Sequence, residues 1–130
     1  MHRNNLRIVA IILASALGDA AHLWADDAAD KKFFEEKILP VMKAQCYDCH
    51  SKTADEVKGQ FKLDTREDLR AGGESGVVLV PGEPDRSLLI KALRYEEDDR
   101  QMPPRGKLSD EIINDFVEWV KNGAVDPREK

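Results

Sequence analysis

Residues 46–50 read Cys46-Tyr47-Asp48-Cys49-His50, the stretch that most narrows what this 130-residue chain can fold around. Thiols three positions apart lie on roughly one face of a helical turn, and an imidazole follows directly. Cys-x-x-Cys-His is the attachment signature of c-type haem: the two thiols reach the vinyl groups on one side of the ring, and the imidazole falls under the iron. A bare Cys-x-x-Cys has other uses, as half a zinc site, a thiol redox pair or a local disulfide. What precedes the motif, what is missing elsewhere and what lies downstream separate these readings.

Arg3 and Arg7 stand at the N-terminal end of an apolar run from Leu6 to Leu17, and Ala20, Ala21 and Ala25 follow. This is the layout of a secretory signal peptide. Cleavage is expected after Ala25, with Ala21 and Ala29 as other cut sites and an uncleaved anchor as the alternative. The expected organisation is a signal peptide over 1–25 and one domain over 26–130, periplasmic or otherwise exported, with no integral membrane span after cleavage. Both cysteines sit in the motif, and a disulfide between them would restrain little of the unfolded chain. Zinc would have to recruit a carboxylate, because residues 26–130 hold no Cys or His beyond Cys46, Cys49 and His50.

A domain this small has little core and often leans on a cofactor, which haem would supply. The net charge of −5 excludes nucleic acid as a partner, since that needs a basic footprint. It fits a redox partner with a basic docking face, and equally an exported protein kept soluble by its charge.

Asp26 to Asp30 reads as a mobile polar lead. Phe33, Phe34, Ile38, Val41 and Met42 recur at helical intervals and predict an amphipathic helix over about 31–44, which Pro40 either kinks or restarts. Thr65-x-x-Asp68 approximates a capping box for a short helix that Gly72 can end. Gly72, Gly73 and Gly76 carry no phosphate-loop signature; they suit a plain surface turn or a backbone passing close to a flat group such as a porphyrin edge. Val77 to Val80 is an apolar run without a companion strand. Asp85 is the expected cap of a helix bearing Leu88, Leu89, Ala92 and Leu93, and the cluster Glu96 to Asp99 reads as its solvated end. Ser109 caps a last helix to Asn122 with Gly123 as its stop; Ile112, Ile113, Phe116, Val117, Trp119 and Val120 form its inner face. Asp126 to Lys130 reads as a polar tail.

With His2 and His22 inside the predicted signal, His50 is the one histidine left to ligate iron. Met42 lies four residues before Cys46, on the helix that delivers the attached side of the ring, and reads as core filler. Met102-Pro103-Pro104 lies far enough downstream to close over the second face, and its prolines hold the methionine out of a helix. His50 and Met102 are the candidate iron ligands; an open sixth position, or Lys or Tyr there, stays as the alternative.

The pattern resembles the small single-haem cytochrome c family, and more closely planctomycete-type cytochrome c domains. The resemblance rests on the Ile38-Leu39-Pro40 helix before Cys46-x-x-Cys49-His50, then Leu63-Asp64, Gly72-Gly73 and Val80-Pro81-Gly82-x-Pro84-x-x-Ser87-x-Leu89. It continues through Met102-Pro103-Pro104-x-Gly106-x-Leu108-Ser109 and Trp119-Val120-x-x-Gly123-Ala124. It implies an all-α, compact cytochrome c fold with helices around one covalent haem c. Cys46 and Cys49 would carry the thioethers, His50 the proximal bond and Met102 the distal bond. The first and last helices would cross, giving Phe34, Ile38, Phe116 and Trp119 a shared packing role.

The chain departs from the general family in one respect. Many members accept the proximal imidazole's hydrogen bond on the carbonyl of a proline soon after the motif, and here no proline occurs between His50 and Pro81. Some other carbonyl is expected to take that bond. Arg66, Arg70, Arg100 and Arg105 are candidates for pairing with the haem carboxylates, Arg105 first because it is close to Met102. The function these features imply is electron transfer between partner proteins, as a carrier or a subunit rather than an enzyme. Two alternatives remain: a haem enzyme or a gas or peroxide sensor whose Met102 is displaced, and a structural or interaction domain with a Cys46–Cys49 disulfide.

Overall fold

The computed structural model describes residues 27–128, so the predicted signal peptide over 1–25 lies outside the described residues. Among the described residues there are four helices and no β-strand beyond an isolated Gly73–Gly76 bridge. The fold is all-α. No helix among them is long and apolar enough to cross a membrane.

Helix α1 runs unbroken over residues 27–50, so it takes in residues 27–30 of the lead expected to be mobile and the whole Cys-x-x-Cys-His motif. Its inner face is Phe34, Ile38 and Met42, all fully buried, followed by half-buried Cys46. These positions are four apart, whereas an ordinary α-helix turns once in about 3.6 residues and would swing such a row around its axis by roughly 40° per step. Two π-helical turns, Phe34–Ile38 and Met42–Cys46, remove most of that drift. In them the Leu39 N–H bonds to the Phe34 carbonyl and the Tyr47 N–H to the Met42 carbonyl, each spanning five residues. The first wide turn sits just before Pro40, whose ring and missing N–H are incompatible with a regular turn there. The helix therefore passes Pro40 in helical backbone throughout and neither stops nor restarts.

Helix α2 is Arg66–Ala71, and its start follows the sequence closely: the Thr65 hydroxyl accepts from the Asp68 N–H at 3.0 Å. Helix α3 is Leu88–Arg94 and buries Ile90, Ala92 and Leu93. Asp85 does not cap it. A short 3₁₀ turn, Pro84–Arg86, takes up that residue, which instead pairs with Arg94 at 3.0 Å. Fully buried Ser87 stands before α3, accepts from the Val80 N–H at 2.9 Å and donates to the Glu83 carbonyl at 3.0 Å.

Helix α4 is Asp110–Lys121, with Ser109 accepting from the Ile112 N–H as its cap. Ile113, Phe116, Trp119 and Val120 are buried, while Ile112 and Val117 are only half-buried against the core. Helices α1 and α4 cross as the resemblance implied. The Trp119 ring lies 5.7 Å from Phe34 and 6.1 Å, edge-on, from Phe116. Aromatic pairs in this geometry add about 0.5–1.5 kcal/mol to their burial.

The end of the chain is not a free polar tail. The Trp119 indole donates to the Val125 carbonyl at 2.8 Å, Asp126 is buried, and Arg128 lies over the Phe34 ring at 5.0 Å.

Candidate functional site

The last turn of α1 carries Cys46, Cys49 and His50, and the helix stops there because buried Ser51 leaves helical backbone and donates its hydroxyl to the Tyr47 carbonyl at 2.8 Å. Residues 61–64 then return as a strap over that turn. The Leu63 N–H donates to the His50 carbonyl at 2.8 Å, the Tyr47 hydroxyl to the Leu63 carbonyl at 3.2 Å, and the Lys52 N–H to Asp64 at 2.7 Å. His50 Nδ1 lies 3.1 Å from the Phe61 carbonyl. A carbonyl only accepts, so in the neutral imidazole this contact sets the proton on Nδ1 and the lone pair on Nε2. Phe61 therefore supplies the carbonyl that no proline provides, and its ring tilts against the imidazole at 5.5 Å.

Phe61 is itself held from behind. The Gly72–Gly76 turn packs on the Lys58–Gln60 turn, with the Glu74 N–H donating to the Gly59 carbonyl at 2.8 Å. A Cβ on Gly73 would meet that Gly59 oxygen at 2.5 Å and the Phe61 Cβ at 2.8 Å. Gly73 thus makes a close approach to Gly59 and Phe61, and it also lines the cavity that Cys46, Cys49, His50 and Met102 share.

Opposite in sequence, Met102 is fastened at two points. Its N–H donates to the Ala92 carbonyl of α3 at 3.1 Å, and the Tyr95 hydroxyl donates to the Pro103 carbonyl. Tyr95 takes a left-handed backbone at the end of α3, φ +61°, which turns the chain out of the helix toward the methionine loop. Met42 stays in the core and does not contribute to the site.

Cys46, Cys49, His50 and Met102 line one cavity of about 430 Å³. Phe61, Leu63, Val78, Leu88, Leu89, Ala92 and Leu93 supply its apolar wall. Its only charged lining residues are two cations, Lys58 and Arg100, in a chain whose net charge is −5. Among the arginines suggested by sequence, Arg100 alone reaches this cavity. Arg66 and Arg70 line a separate cleft beside α2, and exposed Arg105 stands 3.6 Å from Asp48. Both cysteines are free thiols and both are half-buried. Burial, reinforced by neighbouring Cys49, pushes the Cys46 thiol up to about 11. Among the described residues no group of three or more His, Cys, Asp and Glu is arranged to hold a metal ion on its own.

Residues 46–106 match the family model described as planctomycete cytochrome C. The chain carries a planctomycete-type cytochrome c domain. The matched span starts at the first cysteine and ends just beyond the Met102 loop, so it contains every residue of the cavity except Gln45. A cytochrome c domain binds haem c covalently and serves electron transfer. Most of α1 and all of α4 fall outside the match, and they pack on each other through Phe34, Trp119 and Phe116. No curated protein and no solved structure matched the chain.

Sequence reasoning missed Phe61, Tyr95 and Lys58 as parts of the site. Phe61 acts through its carbonyl, a property that its residue type does not announce. Tyr95 did carry a usable signal, as an aromatic residue with a polar end directly after a helix and before the methionine loop.

Proposed function

We propose that this chain is an exported, periplasmic electron-transfer protein that carries a single haem c, bound through Cys46 and Cys49, with His50 and Met102 as axial ligands. The observation that carries this reading is the convergence of those four side chains on one apolar cavity from the end of α1 and a loop far from it in sequence. The donor set fits the group. Two unpaired thiols stand one helical turn apart, an imidazole is held through its Nδ1, and a neutral thioether enters on a fastened loop.

Bound there, the iron of the haem would cycle between ferrous and ferric states. The residues' own work is to hold and to exclude. His50 is oriented by Phe61, and the aliphatic side chains of α3 keep water from the ring. The backbone bond to Ala92 and the Tyr95 bond to Pro103 keep Met102 in place, offsetting in advance the ordering cost that a weak neutral ligand must overcome. Lys58 and Arg100, paired with Glu56 and Glu97, are the lining cations that would face the haem carboxylates. The net charge of −5 favours a redox partner with a basic docking face, and docking would then weaken as salt rises.

The test is the visible spectrum of protein matured in an export system competent for haem attachment, recorded oxidised and reduced, for the wild type and Met102→Ala. The weak red-edge band of methionine-ligated ferric haem should be present and should vanish in the variant. Haem without that band would shift the reading to a displaceable or open sixth position, and thus to catalysis or sensing. A protein that takes up no haem would refute it altogether.

A further inference from the structure

Residues 126–128 contain a charged pair that the site does not use. Asp126 is 3% exposed, and Arg128 forks onto it, Nε to Oδ1 at 2.9 Å and NH2 to Oδ2 at 2.6 Å. The remaining nitrogen, NH1, reaches 64 to 81 residues back along the chain. It lies 2.8 Å from the Tyr47 hydroxyl, 2.6 Å from the Leu63 carbonyl and 3.2 Å from the Asp64 carbonyl. Taking such a pair out of water is expensive, and an apolar pair of similar size generally serves stability as well or better. What an apolar pair cannot supply is direction. Three contacts shared by the two N–H groups of one nitrogen fix where the strap over α1 ends, and that strap carries the Phe61 carbonyl at its other end.

We propose that Arg128, seated on Asp126, is a positioning residue for His50: it clamps the 61–64 strap to Tyr47 and so holds the Phe61 carbonyl against the imidazole. This rests on the reading of His50 as the iron's proximal ligand. A firm hydrogen bond at Nδ1 makes an imidazole a more basic ligand, which favours ferric iron. With the clamp removed, the strap opens more often, the bond weakens on average, and the midpoint potential rises.

The experiment uses the haem-loaded protein and two variants. Asp126→Leu with Arg128→Met removes both charges at similar volume, so folding stability is expected to stay near the wild-type value. Arg128→Lys keeps the charge but loses the fork, and serves if the double variant does not accumulate. Two quantities are read beside the denaturation midpoint: the reduction potential, and the solvent exchange of the His50 Nδ1 proton in the reduced protein. Exchange is expected to quicken about tenfold in the double variant and less in Arg128→Lys, with the potential rising in the same order.

An unchanged potential and exchange rate in a folded variant, whatever happens to its denaturation midpoint, would overturn the clamp and leave the pair as simple packing. That failure is distinct from failure of the functional reading, which would show earlier, as a wild-type protein without haem; the clamp would fall with it.

Discussion

Gly73→Ala tests the site's architecture most sharply, because the added methyl touches no cavity ligand and should still disturb one. The new Cβ would sit 2.5 Å from the Gly59 carbonyl oxygen and 2.8 Å from the Phe61 Cβ, distances that real Cβ atoms do not show. Neither neighbour is the far end of a flexible side chain, so backbone must move. Overpacking of this kind costs about 1–3 kcal/mol. Losing the Glu74 N–H bond to Gly59, 2.8 Å in the native turn, adds about 1 kcal/mol. The expected total is roughly 2–4 kcal/mol of stability, with a shift in reduction potential because Phe61 also carries the carbonyl facing His50.

Gly76→Ala is the control. Gly76 has nothing within 4 Å of an added Cβ and a φ of +84°, so its cost is backbone strain alone, about 1–2 kcal/mol, without displacement of Phe61. Chemical denaturation and equilibrium redox titration of both haem-loaded variants read the two effects separately. If Gly73→Ala matches Gly76→Ala in both measurements, the reasoning from Gly73 through Phe61 to His50 is refuted.

Three further outcomes are expected. Tyr95→Phe removes the hydroxyl bond to the Pro103 carbonyl, so it should cost about 1 kcal/mol and visibly weaken the methionine-ligated ferric band without changing the amount of haem bound. In the protein before haem attachment, the Cys46 thiol is raised from 9.0 to about 11 by burial, so the folded form holds its proton more tightly than the unfolded chain does. That contribution is fully present below pH 9 and is lost as pH rises toward 11, up to about 2–3 kcal/mol, which denaturation midpoints of the unloaded protein across this window would register. Phe34→Ala empties the centre of the α1–α4 crossing beneath Arg128 and should cost about 3–5 kcal/mol by thermal or chemical unfolding, with no loss if the two helices do not pack through this ring.

What could be read from the sequence was whatever one residue's chemistry announces locally. Cys46, Cys49 and His50 announce themselves by spacing, Met102 by its prolines, and Thr65 and Ser109 by the caps they form. The misses share a cause. Asp126 and Arg128 look like solvent-exposed residues until a fold brings Tyr47 and Leu63 to meet them, and Asp85 looks like a cap until Ser87 takes the buried position ahead of α3. Gly73 and Gly76 are the same letter doing different work, one avoiding a clash and the other adopting a turn, and only three-dimensional neighbours tell them apart.

The wide turns of α1 are a different case, because their signal was present. Phe34, Ile38, Met42 and Cys46 keep a strict four-residue spacing over three steps. In a regular α-helix that row would rotate by roughly 120° from first to last, carrying Cys46 away from the side that Phe34 buries. A chain that must both bury Phe34 under Trp119 and present Cys46 to the cavity therefore needs a helix with more than 3.6 residues per turn, and Pro40 helps explain where the first wide turn falls. The same reasoning makes Pro40 part of how the site is aimed. Its ring favours opening the turn before it, and the resulting rotation, completed by the second wide turn at Met42–Cys46, brings both thiols and His50 onto the cavity wall.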